Sequence, residues 1–349
     1  MKKTLFKLLR YVLFLLLGVL IFYLIYRKFN WKEFGSALRG LNYFWIVASI
    51  LLGLLSNVSR AIRWRMLMKP LGYKPRLFNV FLGVLVMYFA NLILPRAGEV
   101  VRCTVVTRTD KVPFTKLVGT VFVERLADTL MLFTLAVLIF ATNLSVVKRF
   151  FISEHEVTAK LLGLLSFRNI VIGISLVVLL IILILAFRKK LKQGSGRGKL
   201  AELKDHFIEG IKSIAQMKNK WIFIGHTAFI FLMWLIMLYV VFFAYAPTND
   251  LTLRAGMVAF LMGGLAMLAP INAGMGAWHF MVYETLVLYG ISLDNGKIFA
   301  LIAWMTTNLI NIIFGGIALL IVLLVSRRSS NEGLHLMDHD PTEILEVPN

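Results

Sequence analysis

Two charged stretches interrupt apolar runs of this 349-residue chain, and their side chains are of types that can do chemistry. The first directly follows Pro95, and the second lies within the next apolar run. Their charged members are Arg96, Glu99, Arg102, Glu124, Arg125 and Asp128. An ionised side chain at the centre of a bilayer costs about 3 kcal/mol or more, so such groups are normally kept where they face protein or a wet cavity. The two stretches therefore predict a buried polar site.

The acidic pair of the second stretch has helical spacing. Glu124 and Asp128 are four residues apart, so they share one face of a helix, whereas Arg125 points elsewhere and could pair with Glu99. One interpretation is a polar cavity that binds a lipid head group or a coupling proton. The other is a structural ion network that fixes neighbouring helices to each other. The spacing leaves both interpretations open.

The arginines also have two interpretations. Arg96 and Arg102 carry guanidinium groups that can hold a phosphate with two parallel hydrogen bonds, but they also suit anchors at the mouth of a hairpin. Arg60 and Arg63 lie near the inner end of another apolar run, which favours anchoring at the cytoplasmic surface. Arg60 is nevertheless placed deep enough to reach a cavity.

Proline and glycine break two apolar runs at corresponding places. Pro95 and Gly98 follow the run 77–94, and Pro270, Gly274 and Gly276 lie inside the run 255–289. Backbone groups freed by a helix break are not tolerated against lipid. We therefore expect both breaks to be tips of re-entrant hairpins that line the interior.

His279 and Glu284 follow the second break but are five residues apart, so they share a helical face poorly. A proton-handling role for His279 is one interpretation, and a satisfied interior histidine is the favoured one. With Glu124 and Asp128 they form no recognisable zinc spacing. The sequence also shows no motif that binds a nucleotide cofactor and no hydrolytic triad. We therefore expect no bound metal, no cofactor and no enzymatic activity.

Composition indicates a membrane protein. The chain is 59% hydrophobic and 16% charged, and its net charge of +20 sits mainly beside apolar segments. Juxtamembrane lysine and arginine set membrane orientation, so this charge does not indicate nucleic acid. Cys103 is the single cysteine, which excludes an intramolecular disulfide.

Apolar runs of about 20 residues are long enough to span a bilayer as helices. They lie near 5–26, 42–62, 117–141, 168–187, 220–246 and 298–326. The distribution of basic loops places both termini in the cytoplasm, in a multi-pass protein of the inner (plasma) membrane. The fold class is therefore an all-α polytopic membrane protein, with about six full spans and two re-entrant hairpins.

The two halves match in position at an offset of about 175 residues, which predicts an inverted-repeat arrangement like that of transporters. An amphipathic stripe with helical spacing precedes each half. The predicted divisions are an N-terminal anchor span (1–30), repeat A (31–141), a connecting span with a basic cytoplasmic loop (142–198), repeat B (199–328) and a disordered acidic tail (329–349).

Three stretches resemble a known family. They are Arg60-Ala-Ile-Arg63-Trp64, Asn91-Leu-Ile-Leu-Pro95-Arg96-Ala-Gly98-Glu99-Val-Val-Arg102 and Glu124-Arg125-Leu-Ala-Asp128, with Pro270-Ile-Asn-Ala-Gly274-Met-Gly276 as a second Pro/Gly signature. The chain thus resembles the lysylphosphatidylglycerol synthase transmembrane-region family, also described as flippase-like or UPF0104 proteins. The resemblance implies a relative of the lipid-flipping half of aminoacyl-lipid synthases. The soluble transferase domain of those enzymes is not recognisable, so we do not expect lysyl-lipid synthesis.

The expected function is binding, and translocation between leaflets, of an anionic lipid or polyprenyl-linked head group. The expected substrate-binding residues are Arg60, Arg63, Asn91, Arg96, Glu99, Arg102, Glu124, Arg125, Asp128, His279 and Glu284. One alternative is a non-transporting partner that presents lipid to a separate glycosyl- or aminoacyl-transferase. Another is an intramembrane enzyme acting on a lipid phosphate, for which the sequence places no nucleophile.

Overall fold

The computed structural model describes residue 16 and residues 18–93, 97–142, 217–267 and 274–335, with side chains described as far as residue 325. Within these ranges, the chain forms only helices and the turns between them. The helices are α1 (18–26), α2 (Trp31–Arg39), α3 (Tyr43–Met68), α4 (Leu77–Ile93), α5 (Gly98–Asp110), α6 (Phe114–Thr142), α7 (Lys220–Phe242), α8 (Leu253–Ala266), α9 (Ala277–Leu288) and α10 (Leu293–His335).

Three stretches among the described residues are long and apolar enough to cross a membrane. They are Tyr43–Leu71, Lys220–Phe242 and Leu293–Val325. Helix α6 is also long, at 29 residues, but it carries the charged residues of the second stretch. The all-α membrane architecture is confirmed, whereas the count of six spans stays a prediction. The predicted span 168–187 lies outside the described residues, and 5–26 lies only partly within them.

Helices α4 and α5 pack against each other as a hairpin that is fastened near both ends. Near the tip, the Asn91 Oδ1 atom accepts a hydrogen bond of 2.9 Å from the Gly98 N–H, and a Cβ atom on Gly98 would collide with the Met87 carbonyl oxygen. At the base, the carboxylate of Asp110 accepts from the backbone N–H of Arg76 at 2.8 Å and, through its other oxygen, from the side chain of Asn79 at 3.0 Å. Near the tip, the close approach of the Met87 carbonyl to position 98 leaves room only for glycine.

Helices α8 and α9 form a second packed pair. Gly274 and Gly276 adopt positive φ angles of +66° and +81°, which favour glycine. The predicted turning residues themselves, Pro95 with Arg96 and Pro270, lie outside the described residues. The placement of these pairs as re-entrant hairpins in a bilayer stays a prediction.

The helix contacts of the two halves correspond. Helix α3 contacts α4 as α7 contacts α8, and α5 contacts α6 as α9 contacts α10. Helices α3 and α7 form the most extensive contact described, at the junction of the halves. The inverted orientation of the halves and the divisions at 31–141 and 199–328 stay predictions.

The amphipathic stripe before the first half is helical, as predicted. Asn30 caps α2 by accepting from the Glu33 N–H at 3.3 Å, and Phe34 is buried beside Phe29. The corresponding stripe before the second half, 200–214, lies outside the described residues. A large apolar core around α1, α7, α9 and α10 holds this end of the molecule together.

Candidate functional site

A buried charge cluster joins α3 to α6. Arg60 and Arg63, one helical turn apart on α3, face Glu124 and Asp128, one turn apart on α6. Nη1 of Arg60 lies 2.7 Å from Glu124 Oε1 and 3.2 Å from Asp128 Oδ2. Nη2 of Arg63 lies 3.0 Å from the same Glu124 oxygen and 2.7 Å from Asp128 Oδ1. Each arginine therefore bridges both carboxylates.

A third arginine reaches the same carboxylate from α5. Nη1 of Arg102 lies 2.9 Å from Glu124 Oε2, and its guanidinium carbon is 4.5 Å from the centroid of the Trp64 ring. Trp64 is itself held by a 2.9 Å hydrogen bond from Nε1 to Thr120 Oγ1. Glu124 is therefore the common counter-ion of three arginines, two on α3 and one on α5.

The cluster is desolvated and unequal in charge. The side chains of Arg60, Arg63, Arg102 and Glu124 are fully buried, and Asp128 is nearly so. Three guanidinium groups thus face two carboxylates, which leaves one positive charge in excess. Nε and Nη2 of both Arg60 and Arg102 are buried and have no hydrogen-bond partner among the described residues. Because buried charge is costly without compensation, this arrangement favours an additional anion.

An accessible ion pair forms the rim of the cluster. Nη2 of Arg125 lies 3.2 Å from Glu99 Oε1, and the two side chains are 43% and 24% exposed. The same arginine lies 3.7 Å from Asp128 Oδ2, so it connects the rim to the buried groups. The predicted pairing of Arg125 with Glu99 is confirmed.

Helix α7 supplies residues that the sequence did not single out. Thr227 Oγ1 accepts a 2.9 Å hydrogen bond from Arg63 Nη1, and the Trp234 ring centroid is 5.1 Å from the guanidinium carbon of Arg60. Thr227 and Trp234 are seven residues apart, which places them on one face of a helix that is otherwise almost entirely apolar. That spacing is the signal that could have identified them.

The other predicted site residues lie elsewhere. Asn91 closes the α4–α5 hairpin, and Arg96 lies outside the described residues. His279 and Glu284 are on α9, whose main contacts are with α8 and α10. His279 Nδ1 accepts from the Gly276 N–H at 3.2 Å, and its ring centroid lies 5.2–5.7 Å from those of the aromatic residues Phe22, Tyr26 and Trp304.

The interpretation of Arg60 and Arg63 as surface anchors is wrong, because both are fully buried in ion pairs. The assembled groups are donors for a phosphate or carboxylate rather than a set of metal ligands. Among the described residues, no three His, Cys, Asp or Glu side chains are grouped so that they could hold a metal ion.

Comparisons with known proteins agree with a membrane domain. The family model for the lysylphosphatidylglycerol synthase TM region matches residues 9–315. A UPF0104 membrane protein of Methanocaldococcus jannaschii is 33% identical over 99 residues, which cover 27% of this chain and 30% of that relative. No solved structure matches the chain significantly.

Proposed function

Because the chain belongs to the lysylphosphatidylglycerol synthase transmembrane-region family, we propose that this multi-pass membrane protein binds an anionic lipid head group and moves it between leaflets. The head group is that of a phospholipid or a polyprenyl-linked phosphate. The observation that carries the proposal is the excess positive charge of the buried cluster on α3, α5 and α6. A phosphate would supply the missing negative charge and accept the unused guanidinium donors.

The position of the cluster along α6 supports transport rather than surface binding. Glu124 and Asp128 are ten and fourteen residues after Phe114, so they lie about 15 and 21 Å along a helix that is about 43 Å long. A polar group at this depth costs several kcal/mol unless protein charges replace its hydration. The cluster therefore lowers the barrier where a head group would otherwise meet hydrocarbon.

The rim pair of Glu99 and Arg125 is the entry point in this proposal. Partly exposed ion pairs contribute only about 0–1 kcal/mol, so an incoming phosphate can compete for Arg125 at little cost. From there Arg102, one helical turn beyond Glu99 on α5, is the next donor inward. Arg96, which precedes α5, belongs to the same proposed path.

Localisation and chemistry complete the proposal. The protein lies in the inner (plasma) membrane with both termini in the cytoplasm, as the basic loops favour. It does not change the lipid covalently, since the cluster consists of salt-bridged charges and a threonine and tryptophans that position them. Chemically altered lipid after incubation with purified protein would contradict this part of the proposal.

The test is leaflet exchange in proteoliposomes that contain fluorescent phosphatidylglycerol, with the variant Arg125→Gln. A charge-assisted hydrogen bond contributes about 1.5–3 kcal/mol, so its loss slows exchange about ten- to a hundredfold. Lys116→Gln is the matched control, because Lys116 is an exposed cation on the same helix outside the cluster. Equal exchange by both variants would refute the role of Arg125.

Lipid binding is measured in parallel by native mass spectrometry. Retained phosphatidylglycerol without exchange by the unmodified protein would contradict transport and would favour the lipid-presenting alternative. Neither binding nor exchange would contradict the proposal as a whole.

A further inference from the structure

A groove of about 500 Å³ lies between α6, α7 and α8, each of which contacts the other two. This volume is typical of small-molecule sites in proteins. Its floor includes Ile139 and Phe231, which are buried, and its walls include Leu235 and Met257. Ile139 and Met257 also belong to an apolar cluster that joins α6 to α8, so the floor is packed protein. The groove therefore presents a packed, mainly apolar surface.

One end of the groove adjoins the charge cluster. Met131 lines the groove and lies three residues after Asp128 on α6. On α7, Ala228 lines the groove and directly follows Thr227, the hydroxyl that accepts from Arg63. The groove thus begins about one helical turn, or about 5 Å, beyond the buried charges.

The other end of the groove carries a cation. Arg254 lines it at the beginning of α8, is exposed, and has no carboxylate partner among the described residues. Thr142, the last residue of α6, lies at the same end of the groove. From Asp128 to Thr142 the helix rises about 21 Å. The apolar lining of the groove suits a hydrocarbon chain, and the guanidinium at its end suits an anionic head group.

We propose that this groove is a second lipid seat, which holds a hydrocarbon chain of an anionic phospholipid with its phosphate at Arg254. The lipid class rests on the proposed function, but the seat is a separate site at the far end of the polar path. It receives the lipid after the head group has passed the cluster, or delivers the lipid in the opposite direction. The guanidinium of Arg254 makes the seat selective for anionic over zwitterionic lipid, because it repels the ammonium group of the zwitterionic head group.

The test is photo-crosslinking in vesicles with phosphatidylglycerol or phosphatidylcholine that carries a diazirine in its acyl chain. We expect phosphatidylglycerol to label the groove stretches 131–142 and 228–235 severalfold more than phosphatidylcholine, with crosslinks located by peptide mass spectrometry. Arg254→Gln should abolish this preference, because Arg254 carries the only charge among the described residues that line the groove. Equal labelling by both lipids, unaffected by Arg254→Gln, would mean annular lipid only and would overturn the proposal.

A steric variant tests the groove itself. Leu232→Trp narrows the groove and should reduce labelling by either lipid, whereas Leu320→Trp should leave it unchanged. Both leucines are exposed, at 49% and 63%, so neither substitution disturbs a packed core. Unreduced labelling in Leu232→Trp would also overturn the proposal.

The connecting segment of the chain is the competing occupant. Cys103→Ser first removes the single native cysteine. A cysteine introduced by Leu232→Cys should then not form a disulfide efficiently with a second cysteine introduced at any position within 168–187. Efficient crosslinking there would assign the groove to that segment and overturn the lipid seat. Loss of groove labelling with leaflet exchange intact refutes only the seat, and intact labelling without exchange refutes only transport.

Discussion

The centre of the charge cluster offers the sharpest test of how the site is built. Glu124→Gln removes one negative charge and keeps nearly the same side-chain shape. The two carboxylates and three guanidinium groups that are buried together carry a net charge of +1, which rises to +2 in the variant. Arg60 and Arg63 would then keep Asp128 as their buried counter-ion, whereas Arg102 would lose the carboxylate that it contacts.

The expected loss is large because the remaining charges stay buried. Removing one partner of a buried ion pair typically costs about 3–5 kcal/mol of unfolding free energy. Glu99→Gln is the matched control, since it makes the same chemical change in the partly exposed pair with Arg125. There we expect about 0–1 kcal/mol, because solvent screens both charges.

The assay is equilibrium unfolding of purified protein in mixed micelles, followed by the ellipticity of its helices. A double variant adds Arg102→Gln to Glu124→Gln and returns the net charge of the buried groups to +1. We expect it to lose less stability than the sum of the two single variants, because the residues share one ion pair.

Two results would refute this reasoning. A loss below about 1 kcal/mol for Glu124→Gln would mean that the cluster is hydrated and that its charges are screened. Additive effects of Glu124→Gln and Arg102→Gln would mean that their ion pair does not exist in the folded protein.

Two further predictions use the same unfolding assay. Gly98→Ala should destabilise the protein by about 1–3 kcal/mol, because the added methyl group meets the Met87 carbonyl. The control Gly119→Ala places its methyl group in open space on α6 and should be neutral or slightly stabilising. Equal effects of the two substitutions would argue against close packing at the hairpin tip. Arg102→Lys keeps the charge but loses the stacking on Trp64, so we expect a loss of about 1–2 kcal/mol, and unchanged stability would contradict that contact.

Local spacing was sufficient to predict part of the site. The shared face of Glu124 and Asp128 and the pairing of Glu99 with Arg125 follow from helical periodicity and charge. The anchoring interpretation was wrong for Arg63 because the apolar run was taken to end at residue 62. Helix α3 continues to Met68, so both arginines lie within the helix rather than at its surface end.

Long-range packing explains what the sequence could not supply. The spacing within α7 can single out Thr227, but its contact with Arg63 depends on α7 lying along α3, which that spacing does not encode. The groove at Arg254 likewise needs three helices to meet at a particular angle. For the same reason, His279 could not be assigned to its aromatic surroundings, which come from α1, α9 and α10.

The two fastenings of the α4–α5 hairpin have a mechanical consequence. Asn91 with Gly98 ties the helices near the tip, and Asp110 ties them at the base, so the hairpin moves as one body. Separating the hairpin from α6 would then break the partly exposed Glu99–Arg125 pair and the buried Arg102–Glu124 pair. The hairpin is therefore a stiff unit, and we expect its movement relative to α6 to be limited by the two ion pairs that join α5 to α6.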